Sequence, residues 1–411
     1  MEIGPILRAL INHRSRFWLI TLEISLTLAI VVNCVNMILD QRAQMLRPTG
    51  LDQEHILVVS AEPFAPELKD EKLVERLYDT DLVELRAMPG VIGATGISAI
   101  PLSGGGSSTG RKAQGAEGVS LTVPYFVVGD QALLTLGVRL VEGRDFDAGD
   151  FPDEIDADQE LEQEQISKHN VIVTRELADT LFPDGGALGG TISDSDGEEL
   201  ETVIGIVERM HCAWPQSPVA ERSMLYPGRP AGTRRTAYLV RVEPGLVDEL
   251  YTAVETKLLE INDGRLIGVK TLAEIKRDLY SDGVAFSQLL GALSVLLVLV
   301  TALGIVGLTS FSVTQRTREI GTRRALGATR AAILRHFLVE NWLVTSAGLS
   351  LGLVLALALN FALAHFANVS TIGVAQVALV MCGLWLVGLL AAIVPALRGM
   401  RVAPVIATRN V

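Results

Sequence analysis

Cysteine is scarce in this chain. Three cysteines occur in 411 residues, at Cys34, Cys212 and Cys382. That spacing excludes a disulfide framework and any cysteine-based metal site. The six histidines, at 13, 55, 169, 211, 336 and 365, do not cluster either. None of the seven lysines follows a glycine, so the Gly-x-x-x-x-Gly-Lys-Ser/Thr cradle for nucleotide phosphates is missing from these residues. No nucleophile and base stand together in 40–285, and Cys212 beside His211 reads as packing rather than catalysis. These gaps argue against an enzyme.

Charge is missing over two long stretches. No Asp, Glu, Lys or Arg occurs in the 33 residues between Asp282 and Arg316, or in the 57 between Glu340 and Arg398. About 20 apolar residues in a helix cross a hydrocarbon core, so a purely soluble protein is excluded. The 57-residue run would form a single helix of about 85 Å, so it must fold back as a hairpin. Residues 367–373 are the natural break.

What charge there is divides by position. The net charge is −12, yet 1–16, 312–339 and 397–411 together carry +10, while 40–285 carries −20. Basic segments that flank apolar runs belong on the cytoplasmic side. The acidic balance argues against a nucleic-acid partner. Within 145–164, ten acidic side chains occur with no basic one. The spacing of an EF-hand with its central glycine is absent, so the tract reads as a solvated loop rather than a calcium site.

The first apolar run, 17–39, is longer than the core of a signal peptide, and no Ala-x-Ala site follows it. The stretch Val31-Val-Asn-Cys34 has Asn33 where a lipoprotein box needs a small residue, so the run reads as an uncleaved span. Glu23 within it reads as snorkelling or paired with an arginine rather than as a proton relay. Asn33 and Asn36 share a face suited to bonding another helix. Residues 1–16 read as an amphipathic cytoplasmic helix with Ile3, Ile6, Leu7, Leu10 and Ile11 on one face.

The pattern predicts an α-helical membrane protein with four transmembrane helices, at 17–39, 288–311, 342–365 and 374–396. An extracytoplasmic α+β domain, 40–285, stands between the first and second. Two β-α-β patterns bracket that domain: strand 55–61, helix 67–88, strand 91–100; then strand 237–242, helix 245–261, strand 265–270. Together they suit a split β-α-β, porter-like subdomain (40–118 and 227–285). An inserted strand-rich subdomain occupies 119–226, with strands at 121–128, 171–173, 201–207 and 223–226. Gly- and Ser-rich 103–118 reads as the hinge into it. A helix at 272–280 runs on into the second span, and 397–411 is a cytoplasmic tail. Small residues at Gly304 and Gly307, and at Gly348 and Gly352, mark close helix packing.

The loop 312–341 between spans two and three is strongly basic. Helical spacing places Ile320, Arg323, Arg324 and Gly327 along one side, with Gly327 ending a short helix and Thr329 capping the next, 330–341. Physical chemistry alone leaves two readings open: a docking site for a cytosolic partner, or an anchor on lipid headgroups.

The run Arg316-Thr-Arg-Glu-Ile-Gly-Thr-Arg-Arg-Ala-Leu-Gly-Ala-Thr-Arg330 resembles the hallmark of the FtsX-like permease domain of MacB-type ABC transporters. Ile393-Val-Pro-Ala-Leu-Arg-Gly-Met-Arg-Val-Ala-Pro-Val405 is similar to the last span and tail of that family. Gly137-Val-Arg-Leu-Val-Glu-Gly-Arg-Asp-Phe146, Asn170-Val-Ile-Val-Thr-Arg-Glu-Leu-Ala178 and Val203-Ile-Gly-Ile-Val207 resemble its periplasmic core domain. The resemblance covers essentially the whole chain, with 286–411 as the permease domain.

The resemblance implies a bacterial inner-membrane permease subunit with both termini cytoplasmic, working with a second copy or a sister permease. A cytosolic ABC ATPase in a separate chain would bind ATP and magnesium, and this chain would hold no cofactor. The coupling residues would be Arg318, Glu319, Ile320, Gly321, Arg323, Arg324, Leu326, Gly327 and Ala328. Whether a periplasmic adaptor joins the assembly is open, as is the substrate. Leu102-Ser-Gly-Gly-Gly106 imitates an ABC signature but has no Walker motif beside it, and reads as a loop. The alternative within the resemblance is an FtsX-like signalling scaffold that regulates an extracytoplasmic partner. The two-subdomain outer block favours transport.

Overall fold

The structure, a computed structural model, describes residues 14–115, 120–151, 168–194, 200–367 and 370–401. The amphipathic helix expected at 1–16, most of the acidic tract, part of the 367–373 break and the last ten residues of the tail lie outside them. The chain forms two compact units, Leu46–Asp282 and Met1–Met45 with Gly283–Val411.

The Leu46–Asp282 unit holds two sheets. The first has the order β11-β1-β10-β2, built from β1 (Ile56–Pro63), β2 (Val91–Gly96), β10 (Thr236–Val242) and β11 (Arg265–Thr271), with every neighbouring pair antiparallel. Helix α2 (Glu71–Ala87) joins β1 to β2, and α5 (Val247–Ile261) joins β10 to β11. Because β10 inserts between β1 and β2, each β-α-β unit is split, as in a ferredoxin-like fold. Val74, Tyr78, Leu82 and Leu85 of α2 recur every three or four residues and are buried beside Leu250, Val254 and Leu258 of α5. Helix α2 starts later than the expected residue 67. Pro66 opens a 3₁₀ turn, Pro66–Lys69, and Asp70 then caps the helix by accepting from the Lys72 amide at 3.0 Å.

The second sheet has the order β5-β8-β6-β9-β4-β3-β7 and closes through a β7–β8 pairing. Its strands are β3 (Ser107–Ala113), β4 (Leu121–Val128), β5 (Leu140–Gly143), β6 (Lys168–Thr174), β7 (Thr191–Ser193), β8 (Leu200–Val207) and β9 (Met224–Pro227). Strand β8 pairs along one edge with β7 through its first half and with β5 through its second. The short helices α3 (Ala132–Leu136) and α4 (Arg175–Leu181) complete this unit. The hinge expected at 103–118 is corrected: Ser107–Ala113 is a strand of this sheet, paired with β4 and β7. Its Ser and Gly content hides a pairing that long-range ladder bonds enforce. One apolar cluster, including Val58, Leu239, Phe126 and Ile172, spans both sheets, so they share a core.

Among the described residues of this unit two ion pairs are buried. Arg265 makes a bidentate pair with Asp81, which also accepts from the Tyr238 hydroxyl at 2.7 Å. Arg111 holds Glu201 through Nε at 2.9 and 3.0 Å, and Glu201 also accepts from the Tyr226 hydroxyl.

Among the described residues four helices are long and apolar enough to cross a membrane. They are α1 (Arg14–Leu46), α6 (Leu272–Gln315), α8 (Arg330–Ala367) and α9 (Val374–Met400). The expected run of the 272–280 helix into the second span is found, and the helix at 330–341 continues into the third. The helices expected at 272–280 and 288–311 are one helix, α6, because a lone Gly283 without proline or turn chemistry does not stop it. Likewise 330–341 and 342–365 are one helix, α8. Helix α1 continues past 39 to Leu46, where Gln44 bonds back to Asp40 at 2.9 Å.

Helix α1 carries a buried polar stripe. Ser25 donates to the Gly348 carbonyl at 2.9 Å, Thr27 bonds Thr301 at 2.8 Å, and Asn33 reaches the Ala356 carbonyl at 3.3 Å. Asn36 donates to the Ser370 carbonyl at 2.9 Å. In hydrocarbon such groups have no water to turn to, so these bonds fix which helix faces meet. A Cβ on Gly348 would stand 2.9 Å from Ile24 Cβ, and one on Gly352 2.9 Å from the Ser25 backbone. A Cβ on Gly304 would stand 2.6 Å from the Glu23 carboxylate, so the missing side chain leaves room for that group. Gly307 is different: among the described residues nothing beyond its own helix lies within 4 Å of its Cβ position.

Candidate coupling surface

Helix α6 ends at Gln315, and after Arg316 the short helix α7 (Thr317–Ala325) begins. The Thr317 hydroxyl donates to the Val313 carbonyl at 3.0 Å and the Thr314 carbonyl at 2.8 Å, bonding the turn between them. At the far end Gly327 takes φ +96°, which a side chain would strain. The Ala328 amide donates to the Arg323 carbonyl at 3.0 Å and the Gly327 amide to the Arg324 carbonyl at 3.2 Å. This double closure is a Schellman stop. The Thr329 hydroxyl then accepts from the Ala332 amide at 3.2 Å and caps α8.

The nine expected coupling residues divide between two faces. Ile320 and Gly321 are buried, and Ile320 packs with Val313, Ile333, Phe337 and Ala396. Ala328 joins the same cluster. Arg324 also turns inward: it donates to the Met400 carbonyl at 3.4 Å, at the end of α9, where a positive charge meets the negative helix terminus. The expectation that Ile320, Arg323 and Arg324 share one side is therefore corrected, since a helix this short sinks an anchoring face between its neighbours. Arg318, Glu319, Arg323, Leu326 and Gly327 are exposed, with Leu326 83% accessible. Glu319 and Arg323 form an i,i+4 pair at 2.6 Å. A further pair, Arg316 with Glu340 at 3.1 Å, ties the start of α7 to α8. Sequence reading missed it, although the two residues bound the uncharged runs.

In the Leu46–Asp282 unit no group of three metal-ligating side chains occurs among the described residues. Cys212 is buried and its sulfur accepts from the Trp214 amide at 3.3 Å. His211 beside it is 1% exposed, and neither ring nitrogen has a hydrogen-bond partner. Of the acidic tract, the described part is structured: Asp150 pairs with Arg144, also accepts from Asn170 at 2.6 Å, and closes a capping box with Asp147. The Arg144 guanidinium holds the Asp150 carboxyl well below the usual carboxylate range.

Among the described residues, four helices long and apolar enough to cross a membrane, a short helix exposed between two of them and an α/β domain inserted after the first give the architecture of a multipass membrane protein. Residues 291–404 match the FtsX-like permease C-terminal family. The chain is 26% identical over 296 residues to the macrolide export ATP-binding/permease protein MacB of Chromobacterium violaceum, covering 70% of this chain and 43% of that protein. It is 28% identical over 288 residues to MacB of Neisseria gonorrhoeae, covering 66% and 39%. The chain thus spans about two fifths of the length of these curated relatives. Among solved structures, the periplasmic region of MacB from Actinobacillus actinomycetemcomitans aligns with a TM-score of 0.36 at 14% identity, covering 56% of this chain and 94% of that one. The extracellular domain of the noncanonic ABC-type transporter YknZ from Gram-positive bacteria aligns at 0.32 and 14%, covering 52% and 100%. The resemblance read from 316–330 stands: that run lies inside the stretch matching the FtsX-like permease C-terminal family, and the chain is similar to proteins of MacB type.

Proposed function

We propose that this chain is the membrane permease subunit of an ABC transporter in a bacterial inner membrane. In this reading ATP hydrolysis by an ATPase docked at α7 is converted into movement of the α/β domain, which exports or extracts a substrate. The ATPase binds ATP and magnesium and supplies the phosphate-cradling motifs that these residues lack. A second copy or a sister permease completes the assembly, and a periplasmic adaptor is a further candidate partner. The basic segments 1–16, 312–341 and 397–411 face the cytoplasm, and the acidic α/β domain faces outward.

The observation that carries this reading is the combination at α7. One face is fixed by Ile320 and the buried Gly321, while Arg318, Glu319, Arg323 and Leu326 point away from the protein. A held helix with an outward charged face and one bare leucine suits a protein groove better than lipid headgroups, which need only basic charge. The helix also follows directly on α6, a continuous 44-residue rod of about 66 Å that starts at the end of β11. That continuity supports a mechanical rather than a channel-like role. The deciding experiment is co-purification of the ATPase with a Leu326→Asp variant. Leu326 contacts solvent, so the variant should fold and insert normally but lose the ATPase. Full retention of the ATPase would defeat the docking assignment.

A further inference from the structure

His211 lies in the segment between β8 and β9, within the Leu46–Asp282 unit. Its backbone amide donates to the Thr49 carbonyl at 2.9 Å. Gly50 takes φ +79°, and a Cβ there would stand 2.0 Å from the Arg209 carbonyl oxygen. The 49–51 segment is therefore seated on the backbone of 209–211, and it follows the end of α1 by three residues. Lys276, in the second turn of α6, acts on the same imidazole through its charge. His211 thus belongs to the backbone on which the chain seats itself just after α1.

The ring is poorly satisfied for so buried a position. Both nitrogens lack a hydrogen-bond partner, and the Glu221 carboxylate is 3.7 Å from Nε2, just beyond bonding distance. Glu221 is held at 3.1 Å by the Nε of Arg209. The charged groups facing the ring are Glu221, which favours its protonation, and Lys276 and Arg209, which oppose it. Glu54 in turn acts on Lys276.

We propose that His211 is an acid-sensitive latch: protonation of its buried ring, whose nitrogens have no partner in the seated state, unseats the 49–51 segment and loosens the root of α1. The sign follows from linkage. Burial and the neighbouring cations hold the seated imidazole below the ordinary histidine range. An unseated, hydrated ring protonates near pH 6.5, so acid favours the unseated state. The proposal does not depend on the transport reading.

The test is amide hydrogen exchange on the full chain in nanodiscs between pH 7.5 and 5, corrected for intrinsic rates. Protection of 46–52 and 209–221 should fall together below about pH 6.5. His211→Gln should keep that protection constant. Lys276→Gln should shrink the acid-induced loss of protection and Glu221→Gln should enlarge it, because they change the proton affinity of the seated ring in opposite directions. If His211→Gln fails to fold, those two opposite changes still decide the matter. Flat protection in the wild type, persistence of the transition in His211→Gln, or a failure of the two charge variants to change that loss in opposite directions would overturn the proposal.

Discussion

The charge pair on α7 offers a perturbation whose cost inside the chain is small and whose expected cost in a complex is large. Glu319 and Arg323 are about half exposed and touch each other at 2.6 Å, one helical turn apart. An exposed i,i+4 pair stabilises its helix by about 0.2–0.5 kcal/mol. The fold of α7 rests instead on the burial of Ile320 and on the Schellman stop at Gly327, to which this pair contributes only the Arg323 backbone carbonyl, whatever its side chain. Reversing the pair, Glu319→Arg with Arg323→Glu, keeps an ion pair at the same spacing and the same net charge. The variant should therefore insert and melt like the wild type, within about 0.5 kcal/mol. A docked ATPase would instead meet each charge with the wrong sign in a partly desolvated groove. Breaking such pairs costs about 2–5 kcal/mol of association, or a 30- to 5000-fold loss of affinity. A lipid anchor would not register the swap, because its total basic charge is unchanged. The assay is co-purification of the ATPase in detergent together with stimulated ATP turnover. Normal binding and turnover by the swapped variant would refute the coupling role of these two residues.

The helix packing makes a second contrast. Gly352→Val should lower the melting temperature of the detergent-solubilised chain, at a cost of about 1–3 kcal/mol, because its Cβ position lies 2.9 Å from the Ser25 backbone. Gly307→Val, with nothing within 4 Å, should leave it unchanged. In the α/β domain, Asp81→Ala strands the buried Arg265 and should destabilise by about 3–5 kcal/mol, measured by denaturant-dependent proteolysis. Asp150 should contribute stability that is fully present above pH 4 and declines as acid titrates the carboxylate, because its pairing with Arg144 depresses the folded value while the unfolded one is about 3.9. Arg144→Leu should flatten that acid limb in a pH series of thermal melts. Cysteine labelling should find position 325 on the cytoplasmic side and position 188 on the other.

Local signals were strong where solvent and chain geometry act residue by residue. The missing charges at 283–315 and 341–397 gave the spans, since hydrocarbon penalises every ionised group alike. Gly327 and Thr329 gave the ends of α7 and α8, since a left-handed stop and an N-cap are short-range devices. The four strands and two helices of the split β-α-β sheet were legible from periodicity. Other features depend on partners far along the chain. Ser107–Ala113 is a strand only because β4 and β7 supply its ladder, and no propensity in Ser-Ser-Thr-Gly announces that. Which arginine of α7 faces outward follows from Arg324 finding the end of α9, 76 residues away. Gly304, Gly307, Gly348 and Gly352 look alike in sequence, yet Glu23, Ile24 and Ser25 meet three of them, while among the described residues no other element comes within 4 Å of the Gly307 Cβ position. Likewise His211 becomes a candidate sensor only when folding buries it and brings Thr49 and Glu221 to it. Burial and pairing are properties of the assembled core, and no sequence window contains them.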